Sequence, residues 1–163
     1  TWGIIGLGAI GRRVAEIARA FGAKVIYYSA SGAPAQEGYE QVDFETLLTQ
    51  SDIISVHAPL NEHTEGLINS KAFEKMKSSC IFLNLGRGPI VDEQALYNAL
   101  VRNQIAAAGL DVLCKEPMSA DNPLLKIKDS KRLLITPHIA WASVEARTHL
   151  MEIIHGQVKD FFA

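Results

Sequence analysis

The chain has 163 residues, which fits one ordinary domain, and a compact fold of that length buries roughly 70% of the surface exposed by the unfolded chain. It carries 16 basic and 18 acidic residues, a net charge of −2, with no block of like charge. This balance provides no long-range attraction to nucleic acid or to an anionic membrane, so small molecules are the expected partners.

The cysteines and the apolar start of the chain indicate the cellular compartment. Cys80 lies in an apolar run, which favours a buried free thiol and a reducing, cytoplasmic compartment. The apolar start from Trp2 to Ile10 is broken by glycines and follows no basic residue, so it fits neither a signal peptide nor a membrane span. No Cys, His or carboxylate cluster has metal-ligand spacing, and we predict no metal site. The chain starts on a strand and stops within a helical pattern, so we expect residues 1–163 to form one domain, with any substrate-closing domain outside them.

Short apolar runs alternate with stretches of helical period, which predicts an α/β fold with a doubly wound parallel sheet and helices on both faces. The runs interpreted as strands are Gly3 to Leu7, Lys24 to Tyr28, Asp52 to His57, Cys80 to Leu85, Ala106 to Leu110 and Leu133 to Thr136. Residues 31–42 and 113–131 show no clean period.

The helices are predicted from apolar spacing and capping residues. The first would bury Val14, Ile17, Ala18 and Phe21 and end before Gly22. Asp92 would cap a helix that buries Leu96, Ala99 and Leu100, and Ser143 would open a last helix with Leu150, Ile154, Val158 and Phe161 in line. Shorter helices are expected near Phe44 to Leu48 and Ser70 to Met76.

A GxGxxG motif lies between the first strand and the first helix, as a dinucleotide fingerprint requires. Gly6 permits the tight turn, Gly8 lets the backbone approach a pyrophosphate, and Gly11 lets helix and strand pack. Ala9 and Ile10 would present N–H groups at the positive end of the helix. A ligand-free glycine turn, or a site for flavin or another adenosine-containing ligand, are the alternatives.

The end of the second strand lacks the acidic residue that usually binds the adenosine ribose of NAD. Ser29 stands there, and its hydroxyl would not repel a 2′-phosphate. No Lys or Arg lies between Val25 and Gln41 to pair with such a phosphate, however. NAD is therefore favoured as the cofactor, and NADP stays possible.

Polar residues follow three predicted strands at the edge where a parallel sheet binds ligands. They are Arg87, then Asp111 with Glu116, then His138. Reduction of a 2-keto acid needs a planar cation for the carboxylate, a proton donor for the ketone oxygen and a carboxylate that holds the donor. Arg87, His138 and Glu116 supply these groups in turn. Taken singly, each could instead cap a strand, lie on a solvated loop or occupy a turn.

Five segments together resemble the NAD-binding domain of the D-isomer-specific 2-hydroxyacid dehydrogenases, over essentially the whole chain. They are residues 2–11 (WGIIGLGAIG), 56–60 (VHAPL), 84–92 (NLGRGPIVD), 109–117 (GLDVLCKEP) and 136–140 (TPHIA). The resemblance implies that Arg87 binds the substrate carboxylate and carbonyl, that His138 transfers the proton and that Glu116 is its partner. It also implies that Asp111 lies at the nicotinamide end, that Ala58, Leu85 and Gly86 line the cofactor, and that Ser29 replaces a usual Asp.

The same resemblance implies a second domain, an active site in the cleft between the two domains, and a homodimer formed through the nucleotide domains. Trp141 resembles the glycerate dehydrogenase and hydroxypyruvate reductase branch, which suggests hydroxypyruvate or glyoxylate as substrate. A corepressor-like protein that senses NAD and keeps the Arg, Glu and His is the alternative function. His57 is interpreted as a structural residue placed by the Pro59 turn.

Overall fold

Seven parallel strands form one sheet in the computed structural model, which describes residues 1–162. The sheet order is β3-β2-β1-β4-β5-β6-β7. The strands are β1 Trp2–Ile5, β2 Val25–Tyr28, β3 Glu40–Gln41, β4 Ile53–Val56, β5 Ile81–Asn84, β6 Ala107–Leu110 and β7 Leu133–Ile135. The helices are α1 Ala9–Ala20, α2 Phe44–Gln50, α3 Ser70–Lys75, α4 Glu93–Val101 and α5 Val144–Phe161, with short 3-10 turns at Gly88–Ile90 and Pro123–Lys126.

Apolar side chains cover both faces of the sheet, as the predicted doubly wound fold requires. Neighbouring residues of β1 show this, because Ile4 packs in one buried cluster with α1 while Ile5 packs in the other. The chain order reverses at β1, which lies between β2 and β4. Ligands bind beyond the carboxyl ends of the strands at such a switch point, so the topology puts the glycine turn after β1 in the expected place.

The six predicted strands are present, and β3 is an additional one that the sequence did not predict. It pairs with β2 through Ile26 with Glu40 and Tyr27 with Gln41. A strand of two polar residues at the sheet edge has no apolar alternation to detect, which explains why residues 31–42 showed no period.

The predicted buried face of α1 is partly wrong. Gly11, Ala15 and Ala18 are buried, whereas Ile17 is 48% and Phe21 87% exposed. At Gly11 the helix is so close to the turn after β1 that a Cβ would overlap the Gly6 carbonyl. Val14 is half-buried against the same apolar cluster, as predicted, while Ile17 and Phe21 lie on the outer side. The predicted C-cap is confirmed, since Gly22 has φ +84° and its N–H donates to the Arg19 carbonyl.

The predicted last helix is present as α5, and its start is confirmed by the Ser143 hydroxyl, which accepts from the Ala146 N–H. In the described part of the chain α5 buries none of its side chains, including the predicted line of Leu150, Ile154, Val158 and Phe161. An apolar stripe indicates that a surface is suited to burial, but it does not say which partner covers it.

The remaining helices follow their predicted pattern. Asp92 accepts from the Ala95 N–H, and α4 buries Leu96, Ala99 and Leu100. Both short helices are present, as α2 and α3. No helix within residues 1–162 is long and apolar enough to cross a membrane.

Candidate active site

The glycine turn after β1 combines two crowded positions with one open one. A Cβ at Gly6, which has φ +92°, would lie 2.8 Å from the backbone of Ala58, and one at Gly11 would overlap the Gly6 carbonyl. A Cβ at Gly8 would meet nothing within 4 Å. Gly8 also precedes α1, whose N-terminus has no side-chain cap, so Ala9 and Ile10 follow at an open helix end. The turn therefore fits a pyrophosphate, because there is open space next to Gly8 and the N-terminus of α1 is the positive end of the helix dipole.

A cavity of about 290 Å³ extends from this turn to the end of β2. Its lining includes Gly6, Gly8, Tyr27, Ser29, Gln36, His57 and Ala58. The ring Nε2 of His57 is 3.1 Å from the Ser55 hydroxyl, and its buried Nδ1 has no hydrogen-bond partner within residues 1–162. Burial lowers the pKa of His57 to about 4, so its ring is neutral at pH 7. The sequence placed His57 at the Pro59 turn as a structural residue, and in the fold both residues line this cavity.

Arg87 lies on the loop after β5, and Asn84 shapes that loop. The Asn84 side chain accepts from the Gly86 N–H at 3.1 Å and donates to the Arg87 carbonyl at 3.0 Å. The Arg87 guanidinium is exposed and donates to the Gly86 carbonyl at 2.8 Å. A Cβ at Gly86 would lie 2.9 Å from the Ala58 carbonyl, so the β4 and β5 loops touch there. Asn84 belongs to the same sequence motif as Arg87, but its role in shaping the loop is apparent only from these hydrogen bonds.

Asp111, at the end of β6, is buried and holds the segment that leaves β7. Its Oδ1 accepts from the Thr136 hydroxyl at 2.6 Å and from the Ile139 N–H at 2.9 Å, while Oδ2 accepts from the Ala140 N–H at 2.9 Å. Burial acts to raise the pKa of Asp111, but the bonds from Thr136 and two backbone amides outweigh it and lower that pKa. The carboxylate is therefore charged at neutral pH, and it binds the chain both before and after His138.

His138 and Glu116 form the pair that the sequence predicted. The His138 Nδ1 is 2.8 Å from Glu116 Oε2, and Glu116 Oε1 accepts from the Leu113 N–H at 2.8 Å. That backbone bond and then the His138 ring lower the pKa of Glu116. His138 has φ +54°, a left-handed conformation that is rare outside glycine. With Nδ1 donating to the carboxylate, Nε2 is left for an external partner.

A cleft of about 830 Å³ opens beside this pair, lined by Asp111, Glu116 and His138 together with apolar side chains such as Leu124, Leu133 and Ile135. Trp141 is 56% exposed and donates from Nε1 to the His138 carbonyl at 2.9 Å. A carboxylate-held imidazole next to an apolar space can move a proton to a bound carbonyl oxygen.

The structure thus brings Asp111, Glu116 and His138 together, while Arg87 and the partly exposed Leu85 lie one strand away, on the loop after β5. The glycine turn follows β1, two strands from β5 on the same sheet edge. A doubly wound sheet with a glycine turn at its switch point and a held imidazole on its carboxyl edge defines the class of dinucleotide-binding oxidoreductase domains.

Comparison with known proteins gives the particular family. Residues 1–140 match the family described as D-isomer specific 2-hydroxyacid dehydrogenase, NAD binding domain, and the chain belongs to that family. It is 46% identical to a hydroxypyruvate reductase of Blautia hydrogenotrophica over 161 residues, which are 98% of this chain and 49% of that protein. The chain is an NAD-binding domain that spans about half the length of the curated relatives it matches.

Two solved structures have the same fold. An acyclic imino acid reductase in complex with NADPH and D-Arg has a TM-score of 0.89 and 40% identity, with 99% of this chain and 50% of that chain covered. A D-lactate dehydrogenase from Aquifex aeolicus complexed with NAD and lactic acid has a TM-score of 0.88 and 32% identity, with 99% and 53% covered.

Proposed function

We propose that this chain is the cofactor-binding half of a D-2-hydroxyacid dehydrogenase that interconverts a small 2-keto acid and its D-2-hydroxy acid. The observation that carries the proposal is the His138 to Glu116 pair, held in a left-handed turn by Asp111 beside an open cleft. The left-handed backbone at His138 costs conformational free energy. The side chains of His138 and Glu116 are both partly exposed, so packing of the core does not account for this turn.

In this proposal each residue has one task. The nicotinamide, when bound, supplies or accepts the hydride at the carbonyl carbon. Arg87 pairs with the substrate carboxylate through its planar guanidinium. His138 gives a proton from Nε2 to the carbonyl oxygen, and Glu116 stabilises the charged ring and fixes its orientation. In the reverse direction His138 takes the proton from the hydroxyl group.

The cofactor half alone leaves the substrate pocket incomplete, and we propose that a second domain, encoded outside this chain, closes over the Arg87 and His138 edge. The exposed apolar line on α5 and the apolar wall of the cleft are surfaces that such a domain would cover. Homodimer formation through the nucleotide domain and a cytoplasmic location stay predictions.

Hydroxypyruvate or glyoxylate is the proposed substrate. Trp141 supports it, because the exposed indole is tied to the His138 carbonyl and would limit the space available to a substrate side chain. The similarity to a protein named hydroxypyruvate reductase agrees with a small, polar acyl group.

The test is turnover by the complete enzyme that contains this domain, with His138→Gln. We expect NADH oxidation with hydroxypyruvate or glyoxylate to fall by a factor of roughly 10² to 10⁴, while the affinity for NADH stays the same. The control is His63→Gln, because His63 is exposed and far from the proton-transfer pair in sequence. Unchanged turnover in His138→Gln would remove the proposed role. NADH binding without oxidation by any 2-keto acid would instead favour a sensing protein.

A further inference from the structure

The end of the cavity next to β2 is lined by hydroxyl groups. A carboxylate at this position would favour NAD over NADP, but Ser29 stands there instead. Ser29 is half-buried on the cavity wall, and its Oγ is 3.1 Å from the Ser31 Oγ. The segment 29–39 contains one carboxylate, Glu37, which is exposed and is not among the cavity-lining residues. A 2′-phosphate on the adenosine ribose would therefore meet hydrogen-bond donors there instead of a negative charge.

The fold also brings a cation from a distant part of the sequence into contact with one of the cavity-lining residues. Arg12, on the first turns of α1, donates from Nη1 to Gln36 Oε1 at 3.2 Å. Gln36 lines the cavity, and its Nε2 donates to the Leu7 carbonyl at 2.9 Å, so its amide joins Arg12 to the glycine turn. No Lys or Arg lies between Val25 and Gln41 in the sequence, so a cation supplied by α1 is apparent only from the fold.

The neighbouring arginines of α1 show why Arg12 differs. Arg13 forms an ion pair with Glu16 at 2.6 Å, and Arg19 donates to the Gly38 carbonyl while its guanidinium lies over the Tyr39 ring. Arg12 has a neutral amide as its partner and forms no ion pair within residues 1–162. Its charge is thus available to an anion, and the guanidinium fork suits a phosphate.

We infer that Arg12, Ser29 and Ser31 form a site for the 2′-phosphate of NADPH, so that the domain binds NADPH at least as tightly as NADH, with Arg12 the residue that decides between them. This inference rests on the proposed cofactor site. The two hydroxyls donate to the phosphate, and Arg12 exchanges its contact with Gln36 for a charge-assisted one.

The experiment is calorimetric titration of the chain with NADPH and NADH, in the parent and in Arg12→Gln, Arg13→Gln and Ser29→Asp. Arg12→Gln should weaken NADPH binding by roughly tenfold or more, the loss expected for a charge-assisted contact, and leave NADH binding unchanged. Arg13→Gln is the matched control from the same helix turn and should change neither. Ser29→Asp should weaken NADPH binding and strengthen NADH binding.

A second pair of probes isolates the site from the nicotinamide. Adenosine 2′,5′-bisphosphate should compete with NADPH more strongly than 5′-AMP does, and Arg12→Gln should remove the difference. Weaker binding of NADPH than of NADH in the parent, or an equal loss of both in Arg12→Gln, overturns this inference and leaves the proposed function intact. Binding of neither cofactor by the folded chain overturns both.

Discussion

The two ends of the candidate site are held in place by different kinds of interaction. The nucleotide end, at the turn after β1, depends on backbone and empty space, since Gly6 and Gly11 bring chain segments together and Gly8 leaves room. The catalytic end, after β6 and β7, depends on side-chain hydrogen bonds, since Asp111 and Glu116 hold the turn that carries His138.

This difference decides what kind of substitution each end tolerates. A turn made by glycines fails when an atom is added, because backbone segments in contact cannot separate without moving a strand or a helix. A turn held by a carboxylate fails when an acceptor is lost, because backbone N–H groups then have no partner. Substitutions of one atom or one charge can therefore test the two ends separately.

Gly11→Ala should have the largest effect. The added methyl group would overlap the Gly6 carbonyl, and α1 must then move away from β1. We expect a loss of more than about 3 kcal/mol in the free energy of unfolding, measured by urea denaturation, because overpacking against backbone cannot be relieved by a rotamer change.

Gly8→Ala is the matched control for this prediction. Its Cβ meets no atom within 4 Å and its φ of −77° suits alanine, so the fold should keep its stability. NADH affinity should fall nonetheless, since the methyl group takes space that the pyrophosphate needs. Equal stability of Gly11→Ala and Gly8→Ala would show that the nucleotide end is not as tightly packed as the structure indicates.

Asp111→Asn tests the catalytic end and should have the next largest effect. An asparagine oxygen can still accept from Thr136 and the Ile139 N–H, but its NH₂ group would face the Ala140 N–H. We expect a loss of about 2 kcal/mol in the free energy of unfolding, because one buried donor loses its acceptor. NMR of the His138 ring should show that it no longer adopts one orientation.

The control for the catalytic end is Asp121→Asn, an exposed carboxylate whose partner is the Ser119 hydroxyl on its own loop. It should change the stability by less than about 0.5 kcal/mol. If Asp111→Asn were as mild and left the His138 resonances unchanged, the left-handed turn would have to be held by other contacts.

The sequence predicts the nucleotide end better than the catalytic end, for a physical reason. Glycine spacing specifies a backbone path directly. Gly6 and Gly11 accordingly lie where chain segments touch, and Gly8 lies where space is open, as the motif predicted. A side-chain clamp joins residues that are distant in the chain, such as Asp111 with Ile139 and Ala140, and nothing in the local pattern reveals which oxygen binds which amide.

The errors in the predicted fold have the same origin. Helix period identifies an apolar stripe, but α1 is so close to β1 that Gly11 and Ala15 are buried in place of Ile17 and Phe21. The position of Arg12 beside Gln36 likewise depends on how α1 meets the segment before β3, which local sequence does not determine.

His57 gives the smallest and most specific test, because the two ends should respond to acid in different pH ranges. Burial lowers the pKa of His57 from 6.5 to about 4 in the fold. Between these values the unfolded chain binds a proton that the folded chain does not, so the free energy of unfolding falls as the pH falls. At the catalytic end the pKa of Glu116 is instead below its ordinary 4.5, so the stability it contributes is lost only below that pH.

Replacing His57 with Gln should remove the fall in the free energy of unfolding that His57 causes below pH 6.5. We expect the parent to lose about 1.5 kcal/mol more than His57→Gln between pH 6.5 and pH 4.5, measured by urea denaturation at each pH, after allowance for partial exposure of the ring. His63→Gln, at an exposed position, should follow the parent curve. Parallel curves for the parent and His57→Gln would mean that the imidazole is solvated in the fold, and the nucleotide end would then contain no acid-sensitive side chain on its cavity wall.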